Sequence, residues 1–363
     1  MATASHPDPA PVPGGGRTVA VTGAAGNLGR RVASLLLASS EVGRVVAIDL
    51  RRPRGVVGEL DFRPADLATT DLVPLLEGVD QVVHLAFAVG PEVDEAGTAR
   101  ANVDGARRLL EAAGVVGVDH VVMMSSASVY GAWPGNPVPL TEEAPLRPNP
   151  GFSYAAQKAE LERLAGEWRG AHPDAAVAVL RPAAALGGDE ESWLSRSLRA
   201  SSGVRAGDGD PPVQFVHLDD LAAAVVLVAT ERLDGTCNVA ADGWLSGEAV
   251  RALLGAPPRL PVPEVVLSWV GAWAWRRRLG GLPPGIIPYT AHPWVVANDR
   301  LKAAGWAPAH SNEVAFVESR PGAPWSTWSP KRRQEVSLGA AAATLLAGVA
   351  GTVALVRRRR RRR

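Results

Sequence analysis

The stretch Thr22-Gly23-Ala24-Ala25-Gly26-Asn27-Leu28-Gly29 joins a short apolar run to a longer segment with helical periodicity. Glycine lacks a Cβ atom, so the backbone of such a turn can tighten and approach a pyrophosphate. N–H groups at the start of the following helix then meet the phosphate charge. The strand, turn and helix context predicts a dinucleotide-binding turn, although a glycine-rich turn chosen for packing alone is the alternative. The residues expected to contact the cofactor here are Gly23, Gly26, Asn27, Leu28 and Gly29.

A carboxylate follows the turn at the expected distance. Asp49 ends the next predicted strand, twenty residues after Gly29. An acidic residue at this place accepts hydrogen bonds from ribose hydroxyls, and it would repel a ribose 2′-phosphate. We therefore expect Asp49 to bind the cofactor and the cofactor to be NAD. NADP stays open, because Arg51 or Arg52 could swing toward a 2′-phosphate.

From Arg17 onward, short apolar runs alternate with longer helix-period stretches. This alternation is typical of strand–helix units and a parallel sheet. We expect strands near residues 18–22, 44–49, 81–86, 121–125 and 176–180, and helices over residues 27–39, 96–113 and 152–170. The predicted fold class is α/β, with a doubly wound parallel (Rossmann) sheet.

Composition changes along the chain suggest further units. Residues 1–16, rich in proline and glycine, are expected to form a disordered arm without a secretory leader. Residues 17–183 are predicted to form the NAD(P)-binding domain. Residues 184–330 are predicted to form a smaller, irregular substrate lobe with returning sheet elements, over the carboxyl edge of the sheet where α/β proteins bind ligands.

The last part of the chain is predicted to attach the protein to a membrane. Residues 336–356 contain no charged side chain, and as a helix they would be about 31 Å long, enough to cross a bilayer core. Seven arginines follow at 357–363. A buried core helix followed by a solvated charge run is the alternative. We expect a membrane-associated protein with a cytoplasmic catalytic domain, and the path of the tail stays open.

Charge and cysteine content exclude several classes of function. Residues 1–330 carry 28 Lys and Arg against 36 Asp and Glu, so the basic residues that make the whole chain +1 are concentrated in the tail. An acidic body argues against nucleic acid as a partner, since phosphates need clustered cations. The single cysteine, Cys237, cannot close an intramolecular disulfide or build a Cys-rich zinc site. We expect no metal.

Tyr154 and Lys158 lie four residues apart in a predicted helix, which places both side chains on one face. A phenol exchanges protons near neutral pH only if its pKa falls, and an adjacent ammonium favours the phenolate. The pair therefore predicts an acid–base centre in which Lys158 lowers the pKa of Tyr154. The alternative is an aromatic ring lying over a solvated lysine.

Three serines lie at the end of the fourth predicted strand, at the carboxyl edge of the sheet where ligands bind. Ser125, Ser126 and Ser128 compete to hold a substrate oxygen while Tyr154 exchanges its proton. Each of them also fits a turn serine bonded to nearby backbone. The residues alone leave the choice open.

Together these residues resemble the short-chain dehydrogenase/reductase superfamily, and within it the extended NAD-dependent epimerase/dehydratase and 3β-hydroxysteroid dehydrogenase type, over roughly residues 17–240. The resemblance implies that Ser126, four residues before the tyrosine of Val129-Tyr130-Gly131, is the catalytic hydroxyl, with Tyr154 as acid–base and Lys158 on the nicotinamide ribose. It also implies cofactor contacts at Asp66, Leu67, Leu85, Ala86 and Asn102.

The resemblance implies an enzyme that transfers hydride between NAD(P) and an alcohol or ketone, with a lipid- or sterol-like substrate suggested by the tail. A nucleotide-sugar epimerase or dehydratase is the alternative, weakened because residues 181–187, Arg-Pro-Ala-Ala-Ala-Leu-Gly, lack the asparagine usual there. A non-catalytic NAD-binding protein is the third. We expect a small-molecule substrate as partner, and a homodimer stays an open expectation.

Overall fold

The computed structural model describes residues 16–89, 95–187, 210–253 and 284–318, together with Trp269, Gly271 and Arg277. The predicted amino-terminal arm, apart from its last residue, and the predicted membrane helix at 336–356 lie outside the described residues. The arginine tail at 357–363 lies outside them as well. Of the helices in the described ranges, none has the length and apolar character needed to span a membrane.

Nine strands are present in the described residues. They are β1 Arg17–Thr22, β2 Val42–Asp49, β3 Asp61–Pro64, β4 Gln81–His84, β5 His120–Met124, β6 Ala176–Pro182, β7 Ala184–Leu186, β8 Phe215–His217 and β9 Gly235–Val239. Seven form one parallel sheet in the order β3-β2-β1-β4-β5-β6-β9, and β7 pairs with β8 in parallel. The strand order reverses between β1 and β4, so the predicted doubly wound parallel sheet is confirmed.

The helices connect and cover these strands. They are α1 Asn27–Leu37, α2 Val73–Leu76, α3 Glu95–Ala99, a π-helical turn Arg100–Asp104, α4 Gly105–Val116, α5 Ser153–Ala171, α6 Leu218–Thr230, α7 Gly247–Leu253, α8 Pro288–Ala291, α9 Asp299–Ala303 and α10 Asn312–Glu318. Two 3₁₀ turns lie at Ala127–Tyr130 and Pro284–Ile286.

Helices cover both faces of the sheet, because its strands are apolar on both sides. In β1, Val19 and Val21 belong to the apolar core shared with α1 and α6, whereas Ala20 between them belongs to the core shared with α4 and α5. Successive side chains of a strand point to opposite faces, so a strand buried on both sides becomes a continuous apolar run. The central strands can therefore be recognised in the sequence as continuous apolar runs.

The structure departs from the predicted elements at three places. The strand predicted over 81–86, β4 of the structure, ends at His84, two residues early, because the chain leaves the sheet at Leu85 and Ala86. The predicted helix over 96–113 contains the π-helical turn and continues to Val116. Two sheet strands, β3 and β9, were not predicted, since β3 has only four residues, none of them fully buried, and β9 begins with three weakly apolar residues.

A third apolar cluster lies at the carboxyl end of the sheet. It joins the loop following β5, represented by Tyr130, to Phe215 of β8 and Phe316 of α10. The two phenylalanine rings pack 5.3 Å apart, centroid to centroid. Residues beyond β6 are thus held against the loops at the edge where ligands bind in this class of fold.

The start of α1 packs against the glycine turn so closely that only glycine fits. A Cβ atom at Gly29 would lie 2.1 Å from the carbonyl oxygen of Gly23 and 2.8 Å from Cα of Ala24. Relief requires the backbone to move, since both contacts are main-chain atoms. This close approach fixes how α1 leaves the turn.

Gly29→Ala should therefore lower the free energy of unfolding by about 1–3 kcal/mol, as overpacked sites do. The control is Gly166→Ala, at an exposed position of α5 where an added Cβ meets nothing within 4 Å. That variant should gain about 0.5–1 kcal/mol from the better helix former. Denaturant unfolding measures both, and equal stability of Gly29→Ala and wild type would contradict the close packing.

Candidate active site

A cleft of about 320 Å³ opens at the carboxyl end of the sheet, where the strand order reverses. Ligands of open α/β sheets bind at this switch point. The glycine turn lines one part of the cleft, and α5 with the loop following β5 lines another. The sequence-predicted residues in the lining are Gly23, Gly26, Asn27, Leu28, Gly29, Leu85, Ser126, Tyr154 and Lys158.

The glycine turn has the shape that a phosphate-binding turn requires. Gly23 has a φ angle of +70°, and a Cβ there would lie 2.6 Å from the backbone nitrogen of Ala86. At Gly26 a Cβ would meet only the carbonyl oxygen of Gly23, at 3.3 Å, and would otherwise extend into space at the cleft lining. The turn therefore leaves room for a ligand beside the first turn of α1, as a pyrophosphate needs.

Asp49 is held by the same turn. Its carboxylate accepts hydrogen bonds from the backbone N–H of Ala25, at 3.0 Å, and from that of Arg51, at 3.2 Å. The side chain is half-buried at the end of β2, outside the lining of the cleft. Arg52 places its guanidinium carbon 5.9 Å from the ring centroid of Phe62. In this arrangement Asp49 is fixed near the turn, whereas Arg52 packs against an aromatic ring.

Three predicted cofactor contacts lie near the cleft without lining it. Asp66 is exposed, and its Oδ1 accepts a hydrogen bond from the N–H of Ala68 at 3.0 Å. Leu67 is half-buried and faces Gly105 at the start of α4. Ala86 makes its close approach to Gly23 through the backbone. Their contacts with a cofactor remain predictions.

Asn102 is buried in the π-helical turn and fully engaged with protein. Its Oδ1 accepts from the N–H of Ala88 at 2.7 Å, and its Nδ2 donates to the carbonyl oxygen of Ala88 at 2.9 Å and to Oε1 of Gln157 at 2.8 Å. The side chain thus ties the loop that follows β4 to α5. In this structure Asn102 positions the wall of the cleft, and the predicted contact with the cofactor is untested.

The predicted acid–base pair, Tyr154 and Lys158, lies on the amino-terminal half of α5. Tyr154, Lys158 and Glu162 follow one another at four-residue spacing, which puts them on one face of the helix. Further along the helix, Leu161, Leu164 and other apolar side chains pack into the core beneath the sheet. That packing places the polar face of α5 beside the end of β5.

The three candidate serines differ in their hydrogen-bond partners. Ser125 donates a hydrogen bond to Glu162, away from the reacting residues. Ser126 accepts from Oγ of Ser128 at 2.9 Å and from its N–H at 3.2 Å. Ser126 is also the serine whose interaction with Tyr154 favours the phenolate. The geometry brings together the two hydroxyls that the resemblance selected.

Burial raises the pKa of Tyr154 to about 12, and the hydrogen bond with Ser126 opposes the shift. The ring packs against Phe87 and Phe152, with centroids 5.4 and 5.6 Å away. The expected lowering of this pKa by Lys158 is wrong for this structure. Its physical reason is that the ammonium lies 6.0 Å from the centroid of the Tyr154 ring and makes other contacts.

Lys158 is buried between a carbonyl oxygen and an aromatic face. Its Nζ donates to the carbonyl oxygen of Met124 at 2.7 Å and lies 3.8 Å from the ring centroid of Phe87. Burial lowers the pKa of the ammonium to about 7, and the charge of Glu162 opposes the shift. Lys158 therefore changes its charge near neutral pH, where the acid–base chemistry of the site would operate.

Beneath Lys158 lies a buried ion pair. Arg181 of β6 donates to both carboxylate oxygens of Glu162, with Nη2 2.6 Å from Oε2. Its Nη1 donates to the hydroxyl of Tyr130 at 2.7 Å, and that hydroxyl donates to Asn238 of β9 at 2.8 Å. Both charged side chains are less than a tenth exposed. The network joins α5, β6 and β9 below the reacting residues.

Sequence reasoning missed several residues of the site. Glu162 could have been found, because it repeats the spacing from Tyr154 to Lys158. Phe87 carried no recognisable signal, and neither did Tyr289 and Trp294, which lie more than 130 residues after α5 begins and yet line the cleft. Only the fold brings these rings to Tyr154.

Comparison with known families gives one match across most of the sheet. The model of the NAD dependent epimerase/dehydratase family matches residues 19–240. Among curated proteins, an uncharacterised protein of Mycobacterium tuberculosis is 30% identical over 268 residues, which cover 71% of this chain and 69% of the relative. A 3-diazoavenalumate denitrifying reductase from a Streptomyces species is 30% identical over 314 residues, 80% of this chain and 96% of the relative.

Solved structures extend the comparison to three dimensions. MoeE5, determined with UDP-glucose and NAD, has a TM-score of 0.63 at 26% identity, over 83% of this chain and 97% of MoeE5. The UDP-glucose 4-epimerase of Thermus thermophilus, determined with NAD, has a TM-score of 0.64 at 22% identity, over the same shares of each chain. The second likeness concerns the fold alone.

The lowered pKa of Lys158 should make stability depend on pH. Between pH 7 and 9 the unfolded lysine, whose ordinary pKa is 10.5, holds a proton that the folded residue has released, so folding becomes more favourable as pH rises. Lys158→Met should remove the part of the increase in unfolding free energy that Lys158 contributes between pH 7 and 9. Unfolding in denaturant at pH 7, 8 and 9 measures it. Lys302→Met, which removes an exposed partner of Asp242, is the control and should keep the rise.

The buried ion pair should matter far more than an exposed one on the same helix. Glu162→Gln leaves the Arg181 guanidinium buried without its counter-charge, and it should cost about 3–5 kcal/mol of unfolding free energy. Glu167→Gln removes an exposed partner of Arg163 and should change stability by less than about 1 kcal/mol. Equal losses in chemical denaturation would contradict a structural role for the buried pair.

Proposed function

The chain belongs to the NAD-dependent epimerase/dehydratase family, and we propose that it is an oxidoreductase that transfers hydride between NAD and an alcohol or ketone, with Tyr154 as the acid–base. The observation that carries the proposal is that Ser126, Tyr154 and Lys158 line one cleft together with the glycine turn. Members of this extended short-chain dehydrogenase group are enzymes, so a cofactor-sensing protein without chemistry is the weaker reading.

The residues present fit NAD. Gly23 and Gly26 leave the space that a pyrophosphate needs, and α1 begins directly after them. Asp49 is fixed by two backbone N–H groups at the end of β2, the place where a carboxylate binds ribose hydroxyls. The same charge disfavours a 2′-phosphate, and the contact of Arg52 with Phe62 supports NAD over NADP.

Bound NAD would supply the hydride acceptor, so that an alcohol loses a hydride from carbon and a proton from oxygen and becomes a ketone. The chain handles the proton. Tyr154 receives it as the phenolate, and in the reverse direction, reduction of a ketone, the protonated phenol donates it, while the Ser126 hydroxyl orients the substrate oxygen. Lys158, one helical turn away, changes its charge near pH 7, and its proposed role is to hold the nicotinamide ribose.

Nucleotide-sugar epimerisation is the second candidate. Its support is that MoeE5 was determined with UDP-glucose and UDP-glucuronic acid. Against it stand the alanines at 183–185, where sugar-nucleotide members usually place an asparagine. The reductase from Streptomyces supports net reduction within the relatives of this chain. The proposal includes attachment of the enzyme to a membrane, for which the support is the apolar sequence of residues 336–356.

Tyr154→Phe tests the assignment. The variant should lose at least about 100-fold in turnover, the lower end of what a general acid–base contributes. Its dissociation constant for NAD, measured by calorimetry, should change less than about threefold. Tyr130→Phe is the control, since it removes one hydroxyl from the buried network and leaves the cleft intact.

Retained turnover in Tyr154→Phe, measured with a panel of alcohols, ketones and nucleotide sugars, would refute the role of Tyr154. Absorbance at 340 nm separates the two candidate reactions. Net oxidation accumulates NADH, whereas epimerisation returns the hydride to the same substrate and leaves the absorbance flat. Wild-type protein that fails to bind NAD would refute the proposal as a whole.

A further inference from the structure

We propose that the cleft beside Tyr154 takes an aromatic ring, so that the substrate is an aryl alcohol or an aryl ketone whose oxygen meets Ser126 and Tyr154. The proposal rests on the proposed function and names the substrate class of the same site. It is carried by four rings, Phe87, Phe152, Tyr289 and Trp294, which form a chain of ring contacts that includes Tyr154 and which we call the aromatic wall. All four line the cleft.

The aromatic wall is continuous. Phe87 and Phe152 pack on the ring of Tyr154 with centroid distances of 5.4 and 5.6 Å. Phe152 continues to Tyr289 at 5.1 Å, and Tyr289 continues to Trp294 at 5.3 Å. Three of these contacts have interplanar angles between 63° and 85°, the edge-to-face arrangement that aromatic pairs favour. A ring bound here would extend an existing aromatic array.

Hydrogen bonds to backbone carbonyl oxygens hold Tyr289 and Trp294 in place and satisfy the polar groups of both side chains. The hydroxyl of Tyr289 donates to the carbonyl oxygen of Ser128 at 2.7 Å. The indole N–H of Trp294 donates to the carbonyl oxygen of Tyr289 at 3.1 Å. Both rings are therefore fixed relative to the serine turn that carries Ser126. Their remaining surface toward the cleft is apolar, and fixing it in advance lowers the entropic cost of binding.

Small side chains complete this part of the cleft. Ala183 and Ala184 line it and belong to the same apolar cluster as Phe152, Tyr289 and Trp294. Methyl groups leave space for a flat ligand beside the rings. The hydroxyl groups of Ser126, Ser128 and Tyr154 lie together in the same lining. The result is an apolar slot with hydroxyl groups at the reacting position.

This distribution discriminates between ligand classes. An aryl ketone has one polar atom, which the hydroxyl groups would bind, and a planar apolar body, which the rings would bind. A sugar can pack a C–H face on an aromatic ring, but it carries hydroxyl groups around its edge, and those enclosed by the aromatic wall and the alanine methyl groups would lose water without gaining a partner. The observations therefore favour the aryl compound over the nucleotide sugar.

A pair of ketones of equal carbon skeleton tests the preference. Acetophenone and cyclohexyl methyl ketone differ only in whether the ring is aromatic. Their dissociation constants are measured by ligand-observed NMR titration of the full chain, with and without saturating NAD. Ketone and oxidised NAD do not react with each other, so the titration reports equilibrium binding. Acetophenone should bind about two- to twelve-fold more tightly, which corresponds to the ~0.5–1.5 kcal/mol of an aromatic pair.

Matched variants locate the preference. Phe152→Leu removes a ring of the aromatic wall and should reduce the ratio of the two dissociation constants toward one. Phe215→Leu removes an equally buried ring that pairs with Phe316 and does not line the cleft, so it should keep the wild-type ratio. Circular dichroism confirms that both variants are folded. If Phe152→Leu fails to fold, Trp294→Leu takes its place.

A ratio of one in the wild-type protein overturns the inference, and so does an equal change in Phe152→Leu and Phe215→Leu. Conversion of UDP-glucose, with no turnover of 1-phenylethanol or acetophenone, overturns it as well. The proposed function fails separately, when NAD does not bind or when Tyr154→Phe retains turnover. The measurements without NAD keep the aromatic preference testable even then.

Discussion

The backbone contact between Gly23 and the loop that follows β4 is the constraint on which the site depends. These segments meet so closely that any side chain at Gly23 would collide with the main chain of Ala86. The contact exists because β1 and β4 are neighbours at the reversal of strand order. It sets where α1 begins and where the loop carrying Phe87 leaves the sheet. Asn102 then ties that loop to α5, so that the glycine turn and the face of α5 that carries Tyr154 and Lys158 are linked through the loop following β4.

Electrostatics at this edge is arranged in two layers. Near the cleft, Tyr154 and Lys158 are both driven toward their neutral forms by burial, with pKa values of about 12 and about 7. Below them, Glu162 and Arg181 form a paired and hydrogen-bonded layer that is nearly closed to solvent. The carboxylate of Glu162 favours the protonated form of Lys158. The residue that tunes the proton affinity of Lys158 is thus itself held by an ion pair between α5 and β6.

Local patterns predicted those parts of the molecule whose placement depends on residues close in sequence. The glycine turn, Asp49 and the pair Tyr154 and Lys158 depend on short spacings, and the strands that were predicted are buried on both faces. Strands β3 and β9 escaped prediction, because their assignment comes from pairing with β2 and β6 rather than from their own residues. The shifted pKa of Tyr154 and the rings of Tyr289 and Trp294 escaped for the same reason, since both arise from contacts distant in sequence.

The connection from β6 to β9 spans residues 183–234 and supplies part of the cleft through Ala183, Ala184, Leu218 and Leu221. Both of its ends are clamped in adjacent parallel strands. The crossover also contains α6, whose apolar side chains belong to the core shared with β1, so its composition is constrained by the sheet it covers. The wall of the cleft that it supplies therefore comes from a different segment of the chain than Tyr154 and Lys158 on α5.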